Sequence, residues 1–329
     1  MKKILEKLFY QQYLTESDAK KVLGEISEGK YNPYEISSFL TVFKMRNITV
    51  DELRGFRNCL LERCISIDLE EFDAVDLCGT GGDGKDTFNV STLASFVVAG
   101  AGYKVAKHGN YGVSSTCGSS NVMEYLGYEF TNDSATLKKQ IDKSGICFLH
   151  APLFHPAMKE VAPIRKNIGV PTFFNMLGPM VNPSFPKKQL VGVFSLQLQR
   201  YYKYIYEQEN VSYRIVHSLD GYDEISLTGP AKIISPGKEI MLNPRDIYDK
   251  IITPAELKGG KNIKSSAELF IQILEGNGTE AQNAVVVANA AMAIQCYHQD
   301  QDFSIALQIA EESLKSKAAL QTFKTLLSL

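Results

Sequence analysis

The sequence predicts an α/β protein: a small N-terminal helical domain, then a larger α/β domain with a mostly parallel central sheet flanked by helices. Through residues 1–66 apolar residues recur at helical spacing, and from about residue 70 short apolar or β-branched runs alternate with helical stretches. Glycine-rich loops follow two of those runs. We expect a helical domain over 1–66, joined by a helical segment near 156–185, and an α/β domain over 70–329.

Start signals divide the helical domain into short helices. The first ten residues read as an amphipathic helix, and Thr15 stands before a second apolar series. Pro33 opens a third helix. Thr49 with Glu52 predicts a capping box at the start of a fourth, because each side chain can bond the other residue's backbone N–H.

In the α/β domain the pattern changes period repeatedly. The predicted strands are 73–78, 103–107, 145–150, 189–194, 212–217 and 231–235. The predicted helices are 91–101, 119–126, 134–143, 156–168, 198–208, 265–275, 279–297 and 302–315. Ligands of such sheets bind beyond the carboxyl ends of the strands, so the loops there are the first place to look for a site.

Composition excludes several classes of function. The chain has 329 residues and a formal net charge of −2, with no long basic run, so neither nucleic acid nor an anionic membrane is an expected partner. No apolar stretch is long enough to span a bilayer. The six cysteines are scattered without metal-ligand spacing, which predicts free thiols in a reducing, cytoplasmic compartment.

The first glycine-rich loop, residues 79–84, lies between an apolar run and a helix start at Asn89-Val90-Ser91-Thr92. Glycines let backbone amides approach an anion, and a helix N-terminus adds partial positive charge. The loop also fits the dinucleotide pattern G-x-G-x-x-G, but Lys107 stands near the end of the next strand, where that fold places a carboxylate. Gly84-Lys85-Asp86 fails the Walker A pattern. We therefore predict a phosphate site of another kind.

A second loop repeats the arrangement. Lys107-His108-Gly109-Asn110 leads through serines and glycines to Gly118-Ser119 and a further helix start. Two such loops after neighbouring strands can hold both ends of a molecule that carries two phosphate groups. A solvated serine-glycine loop is the alternative.

Together these residues resemble the anthranilate phosphoribosyltransferases, tryptophan-pathway enzymes of the class that shares its fold with pyrimidine nucleoside phosphorylases. The resemblance covers essentially the whole chain. Its motifs are Gly79-Thr80-Gly81-Gly82-Asp83, Asn89-Val90-Ser91-Thr92, Lys107-His108-Gly109-Asn110, Gly118-Ser119, His155-Pro156-Ala157-Met158, Val161-Ala162-Pro163-Ile164-Arg165, Phe174-Asn175-Met176-Leu177-Gly178-Pro179, Asn182-Pro183 and Asp220-Gly221-Tyr222-Asp223-Glu224.

The resemblance implies two substrates, phosphoribosyl pyrophosphate and anthranilate, with up to two Mg²⁺ ions and a homodimer formed through the helical domain. It implies that phosphoribosyl pyrophosphate is held by Gly79, Gly82, Asp83, Thr87, Asn89, Val90, Ser91, Thr92, Lys107, Ser115 and Ser119. Anthranilate would be bound by Gly79, His108, Asn110, His155 and Arg165, and the metal by Ser91, Asp223 and Glu224. Lys107, Asn110 and Arg165 are the residues expected to act in catalysis.

The chemistry of the residue types agrees with these roles. Mg²⁺ prefers oxygen ligands and often joins one or two carboxylates to substrate phosphates. The planar guanidinium of Arg165 matches a carboxylate bidentately. Taken alone, Asp223-Glu224 also reads as a solvated acidic turn, Arg165 as a solvated or salt-bridged helix residue, and His108 and His155 as packing residues.

The chain departs from the family pattern twice: Tyr111 stands where arginine is usual, and Ser120-Asn121 where alanine and aspartate are usual. The resemblance leaves two other functions to consider. One is phosphoribosyl transfer to another aromatic acceptor, or a nucleoside phosphorylase activity. The other is a relative without catalysis that binds nucleic acid, which predicts basic patches and a damaged Lys107–Asn110 segment.

Overall fold

Two compact units make up the chain in the computed structural model, which describes residues 1–112 and 117–329. The first unit contains residues 1–66 and 151–183, and the second contains residues 67–150 and 184–329. Each unit is therefore built from two separate stretches of chain.

The described residues form α-helices and β-strands, which are numbered separately in chain order. The helices are α1 (Lys2–Phe9), α2 (Glu16–Ser27), α3 (Pro33–Met45), α4 (Val50–Glu62), α5 (Val90–Gly100), α6 (Ser119–Tyr125), α7 (Ser134–Ser144), α8 (Ala151–Phe154), α9 (Ala162–Ile168), α10 (Leu196–Tyr206), α11 (Ile263–Leu274), α12 (Glu280–Ile294), α13 (Phe303–Lys315) and α14 (Ala318–Leu327). The strands are β1 (Val75–Gly79), β2 (Val105–Gly109), β3 (Ile146–His150), β4 (Lys188–Gly192), β5 (Ser212–Ser218), β6 (Ala231–Ser235) and β7 (Lys238–Leu242). No helix among them is both long and apolar enough to cross a lipid bilayer.

Caps and aromatic packing explain the helical unit. The predicted capping box of Thr49 and Glu52 is confirmed at the start of α4. Glu52 is fully buried and forms an ion pair with Arg46, with 2.5 Å between Nη2 and Oε1. The buried carboxylate is therefore neutralised within the unit. The rings of Phe39, Phe43, Phe56 and Phe173 pack with centroids 4.4–6.2 Å apart and form an apolar centre.

A seven-stranded sheet in the described residues of the second unit has the order β3-β2-β1-β4-β5-β6-β7. The pairs from β3 to β5 are parallel, and β6 and β7 extend the sheet antiparallel. The predicted α/β class with a mostly parallel sheet is confirmed. Because β2 and β4 flank β1 on opposite sides, the loops at the carboxyl end of β1 diverge there, which is where such sheets bind ligands.

Differences from the predicted elements are local. The predicted helix 156–168 is wrong: a short 3₁₀ turn, Pro156–Met158, is followed by a separate helix α9. Pro163 explains the break, since proline lacks an N–H and is tolerated only in a first helical turn. The sequence patterns also do not predict α14, which buries about half of its residues. Nor do they predict the edge strand β7, whose residues are mostly exposed and carry little apolar alternation.

Candidate active site

Two glycines let an acidic segment lie against the ends of β1 and β4. A Cβ atom on Gly79 would stand 2.5 Å from Asp223 Oδ2, and one on Gly192 would stand 1.5 Å from the Asp223 carbonyl oxygen. Neither position could carry a side chain without displacing Asp223. The Asp223-Glu224 pair is thereby held at the carboxyl edge of the sheet, beside the first glycine-rich loop.

The two carboxylates are fixed by the loop itself. Asp223 Oδ2 accepts a hydrogen bond from the Gly81 backbone N–H at 2.6 Å, and Glu224 Oε1 accepts one from the Thr87 hydroxyl at 2.8 Å. Residues 81, 82 and 84 have positive φ angles, a conformation that suits glycine. The loop between β1 and α5 is therefore hydrogen-bonded directly to the acidic pair that lies beside it.

Burial and neighbouring carboxylates raise the pKa values of both acids. Burial, followed by the nearby Asp83 carboxylate, raises the pKa of Asp223. Burial and the charge of Asp223 raise the pKa of Glu224 well above its ordinary value. In residues 1–112 and 117–329, no three histidine, cysteine, aspartate or glutamate side chains come together as a ready metal site. A divalent cation held by this pair would complete its oxygen shell from a bound ligand.

Lys107 brings a positive charge to the same edge of the sheet. It is 1% exposed, and its Nζ donates to the Leu77 carbonyl at 2.5 Å and to Ser91 Oγ at 3.3 Å. Burial lowers the pKa of Lys107, while neighbouring acidic groups, Asp76 and Glu224 among them, oppose that shift. A buried ammonium beside glycine amides is suited to an oxyanion.

The start of α5 faces this cluster through Ser91. Asn89, the N-cap residue, does not cap α5 within the described residues; its Nδ2 instead donates to the Cys117 carbonyl at 3.1 Å. Val90 and Thr92 are buried in the first turn. Amides of a first helical turn have no intrahelical partner, so they can serve an anion.

The described residues at the two ends of the second loop contact one another beyond the carboxyl end of β2. The Asn110 carbonyl accepts from Ser119 Oγ at 3.3 Å, and Asn110 Oδ1 accepts from the Tyr111 N–H at 2.8 Å. The Tyr111 hydroxyl donates to Glu124 Oε1 at 3.1 Å. The Tyr111 and His150 rings pack edge to face, with their centroids 4.8 Å apart. Tyr111 thus binds neighbouring groups of its own unit. Ser115 lies outside the described residues.

His108 contributes to the strand end through its backbone. Its N–H donates to Asp76 Oδ1 at 3.0 Å, and the residue is 3% exposed. The sequence analysis assigns no role to Asp76. A carboxylate inside an apolar run does, however, indicate a buried hydrogen-bond partner, because buried polar groups are nearly always hydrogen-bonded.

A distant segment supports the first loop, which sequence reasoning also missed. The Phe88 N–H donates to the Leu257 carbonyl at 3.1 Å, and the Gly259 N–H donates to the Asp86 carbonyl at 2.9 Å. Thr87 forms an antiparallel bridge with Lys258. Backbone pairing between residues 86–88 and residues 257–259 has no local sequence pattern that would predict it.

Arg165 and His155 belong to the first unit. Arg165 Nη2 donates to Asn175 Oδ1 at 3.2 Å, and its guanidinium lies 5.2 Å from the centroid of the Phe174 ring. Burial lowers the pKa of Arg165 to about 10, so the group remains a cation at neutral pH. His155 Nε2 lies 2.8 Å from the Val181 carbonyl, and burial lowers its pKa to about 4, so it is neutral.

The predicted site residues therefore divide between the units. Within the second unit the structure brings Lys107, Ser91 and the Thr87–Glu224 pair to one sheet edge. Asn110 and Ser119 meet at the second loop. Arg165 and His155 are in the first unit, and their part in a shared site stays a prediction.

The raised carboxylate pKa values predict a pH-dependent stability. Both acids bind protons more tightly in the folded chain, so ionising them as pH rises costs folding free energy. Glu224→Gln keeps an acceptor for Thr87 but removes one charge. We expect its melting temperature to exceed that of the parent by about 2–4 °C near pH 8. The difference should shrink as pH falls below about 7, the pKa of Asp223, because a protonated Asp223 no longer repels Glu224.

Thermal unfolding of ligand-free protein measures this difference. Glu129→Gln, at an exposed position, is the matched control and should follow the parent at both pH values. A Glu224→Gln curve that runs parallel to the parent's would show that the acid pair is not under electrostatic strain.

Two domain models of one known protein family match this chain. Residues 2–64 match the helical bundle domain of a glycosyl transferase family, and residues 71–320 match its a/b domain. An anthranilate phosphoribosyltransferase of Flavobacterium johnsoniae is 60% identical over 99% of this chain and 98% of its own length. One from Bacteroides fragilis is 49% identical over 100% of this chain and 99% of its own.

Solved structures show the same likeness in three dimensions. Anthranilate phosphoribosyltransferase of Thermus thermophilus superposes with a TM-score of 0.90 at 30% identity, covering 98% of both chains. The Saccharomyces cerevisiae enzyme in complex with PRPP and Mg gives a TM-score of 0.89 at 27% identity, covering 98% of this chain and 96% of that one. With fold, loops and whole-length identity in agreement, the chain belongs to the anthranilate phosphoribosyltransferase family.

Proposed function

We propose that the protein transfers the phosphoribosyl group of phosphoribosyl pyrophosphate to the amino group of anthranilate, a step of tryptophan biosynthesis. Phosphoribosyl-anthranilate and pyrophosphate are the products. One observation supports this most: buried Lys107 and the Asp223-Glu224 pair lie at the same sheet edge as the glycine-rich loop. That edge combines groups for a diphosphate with groups for the cation that would accompany it.

The diphosphate donor is assigned to the second unit. Backbone N–H groups of the first glycine-rich loop other than those of Thr80 and Gly81, together with Lys107 and the first turn of α5, supply N–H and ammonium donors. The full proposed set is Gly79, Gly82, Asp83, Thr87, Asn89, Val90, Ser91, Thr92, Lys107, Ser115 and Ser119.

Magnesium fits the acidic pair. Asp223, Glu224 and the Ser91 hydroxyl offer the hard oxygen atoms that Mg²⁺ prefers, and a bound cation would offset the burial that raises both carboxylate pKa values. Up to two ions are proposed. When bound, they neutralise charge on the diphosphate. The relative from Saccharomyces cerevisiae was solved with PRPP and Mg.

Catalysis then depends on positioning and charge. As the anthranilate nitrogen forms its bond to the anomeric carbon of the ribose, the bond to the diphosphate oxygen breaks and negative charge develops on the leaving group. Lys107 and the loop amides stabilise that charge. The aromatic amine is already neutral, so a strong general base is not required.

The acceptor is assigned to Arg165, with Asn110, His108, His155 and Gly79. Asn175 and the Phe174 ring fix the guanidinium of Arg165, which lowers the entropy lost when it pairs with a carboxylate. Neutral His155 adds no charge at neutral pH. A Saccharomyces cerevisiae relative was solved in complex with 4-fluoroanthranilate.

Pyrophosphate release tests the assignment directly. The purified chain is given phosphoribosyl pyrophosphate, Mg²⁺ and one of several aromatic acids. We expect turnover with anthranilate and much less with benzoate or with nicotinate. Equal turnover with another acid would favour a different acceptor, and no turnover together with retention on heparin would favour a nucleic-acid-binding relative.

Arg165→Ala tests how the acceptor is held. Loss of a charge-assisted bond to the carboxylate should raise the KM for anthranilate by about 10-fold or more, and the KM for phosphoribosyl pyrophosphate much less. Arg165→Lys keeps the charge without the planar fork and should lie between the two. An unchanged anthranilate KM in Arg165→Ala would contradict the assignment.

We propose that the protein is a cytoplasmic homodimer that associates through its helical unit. Large apolar side chains are exposed there, including Tyr10, Tyr34 and Met45 at 81%, 84% and 83%. Sedimentation should show a dimer for the parent and dissociation for Tyr10→Glu combined with Met45→Glu. Ile251→Glu, at an equally exposed position of the second unit, should remain dimeric. A parent monomer would refute this proposal.

A further inference from the structure

The two ends of the second loop meet at a narrow neck. A Cβ atom on Gly118 would stand 2.2 Å from the Gly112 backbone nitrogen and 2.6 Å from the Tyr111 carbonyl carbon. The chain leaves this neck at Gly112 and returns at Gly118. Residues 113–116 between them lie outside the described part of the chain. The contacts that hold Gly112 against Gly118 fix the distance between the two described ends of the loop.

A single atom joins both ends of the neck. Asn121 Oδ1 accepts a hydrogen bond from the Gly112 N–H at 2.9 Å and another from the Gly118 N–H at 3.0 Å. The bond to the Gly118 N–H is an ordinary N-terminal capping bond of α6. The bond to the Gly112 N–H is not part of helix capping, because Gly112 lies three residues after the end of β2, at the other end of the loop.

The neck also holds two residues of the proposed site. The Asn110 carbonyl accepts from the Ser120 N–H at 3.2 Å and from Ser119 Oγ at 3.3 Å. Asn110 is assigned to the acceptor and Ser119 to the diphosphate donor. A shift of the neck would therefore move a contact to each substrate.

We infer that Asn121 is a positioning residue for phosphoribosyl transfer, which fixes Asn110 and Ser119 by closing the neck of the second loop. This inference rests on the proposed function. Asn121 touches neither substrate in this account; it acts through the two backbone amides that it binds. Its acceptor oxygen is the atom required, so an aspartate at this position should serve as well.

Three variants separate positioning from ordinary helix capping. Asn121→Ala removes the acceptor, and Asn121→Asp keeps it. Asp133→Ala is the matched control, because Asp133 caps α7 of the same unit by accepting the Thr136 N–H at 2.8 Å. Steady-state kinetics give kcat and the KM for each substrate, and thermal unfolding reports the stability of each variant.

We expect Asn121→Ala to raise the KM for both phosphoribosyl pyrophosphate and anthranilate by about 10-fold, the scale set by two lost hydrogen bonds. Asn121→Asp should stay within about threefold of the parent. Asp133→Ala should lose melting temperature with both KM values unchanged, as capping alone predicts.

Two results would overturn the inference. One is Asn121→Ala with a lowered melting temperature but parental KM values, which would make Asn121 a helix cap only. The other is Asn121→Asp impaired as strongly as Asn121→Ala. If Asn121→Ala does not fold, Asn121→Ser replaces it, since its shorter side chain cannot reach both amides, and parental KM values there count equally against the inference. A parent without turnover would refute the proposed function instead.

Discussion

The close approach of Asp223 to the ends of β1 and β4 is the constraint on which the rest of the site depends. Gly79 and Gly192 leave no room for a side chain there. Asp223 then binds the Gly81 amide and Glu224 binds Thr87, so the acidic pair and the glycine-rich loop shape each other. A parallel sheet supplies this place because its strand ends diverge around β1.

Charge explains why the arrangement suits a reaction with a diphosphate leaving group. Two carboxylates and a buried lysine share one sheet edge, and each is costly to bury without partners. Lys107 is partly matched by the Leu77 carbonyl and by Ser91, while both acids retain raised pKa values. A metal-bound diphosphate would place a cation beside the two carboxylates and an anion beside the Lys107 ammonium. A bound cation would thus offset the burial that raises both carboxylate pKa values.

Local patterns carried the prediction of the fold, and long-range contacts limited it. The Thr49-Glu52 box and the short apolar runs of six strands are patterns of neighbouring residues, so their sequence signals are direct. Pro163 is a local signal for the break before α9, and β7 is an exposed edge strand with little apolar signal. The support of Asp86 by Gly259 and of Gly112 by Asn121 arises from folding, so motif spacing could not reveal it.

We propose that Asp223 and Glu224 bind a cation that arrives with the diphosphate. Calorimetric titration with phosphoribosyl pyrophosphate and Mg²⁺, in two buffers of different ionisation enthalpy, measures the protons that binding releases. Because Asp223 has a pKa of about 7, binding of the cation near pH 6.5 should release more protons from the parent than from Asp223→Asn combined with Glu224→Gln. Mg²⁺ should also tighten binding in the parent far more than in that variant. Equal proton release and equal metal dependence in the two proteins would contradict the account.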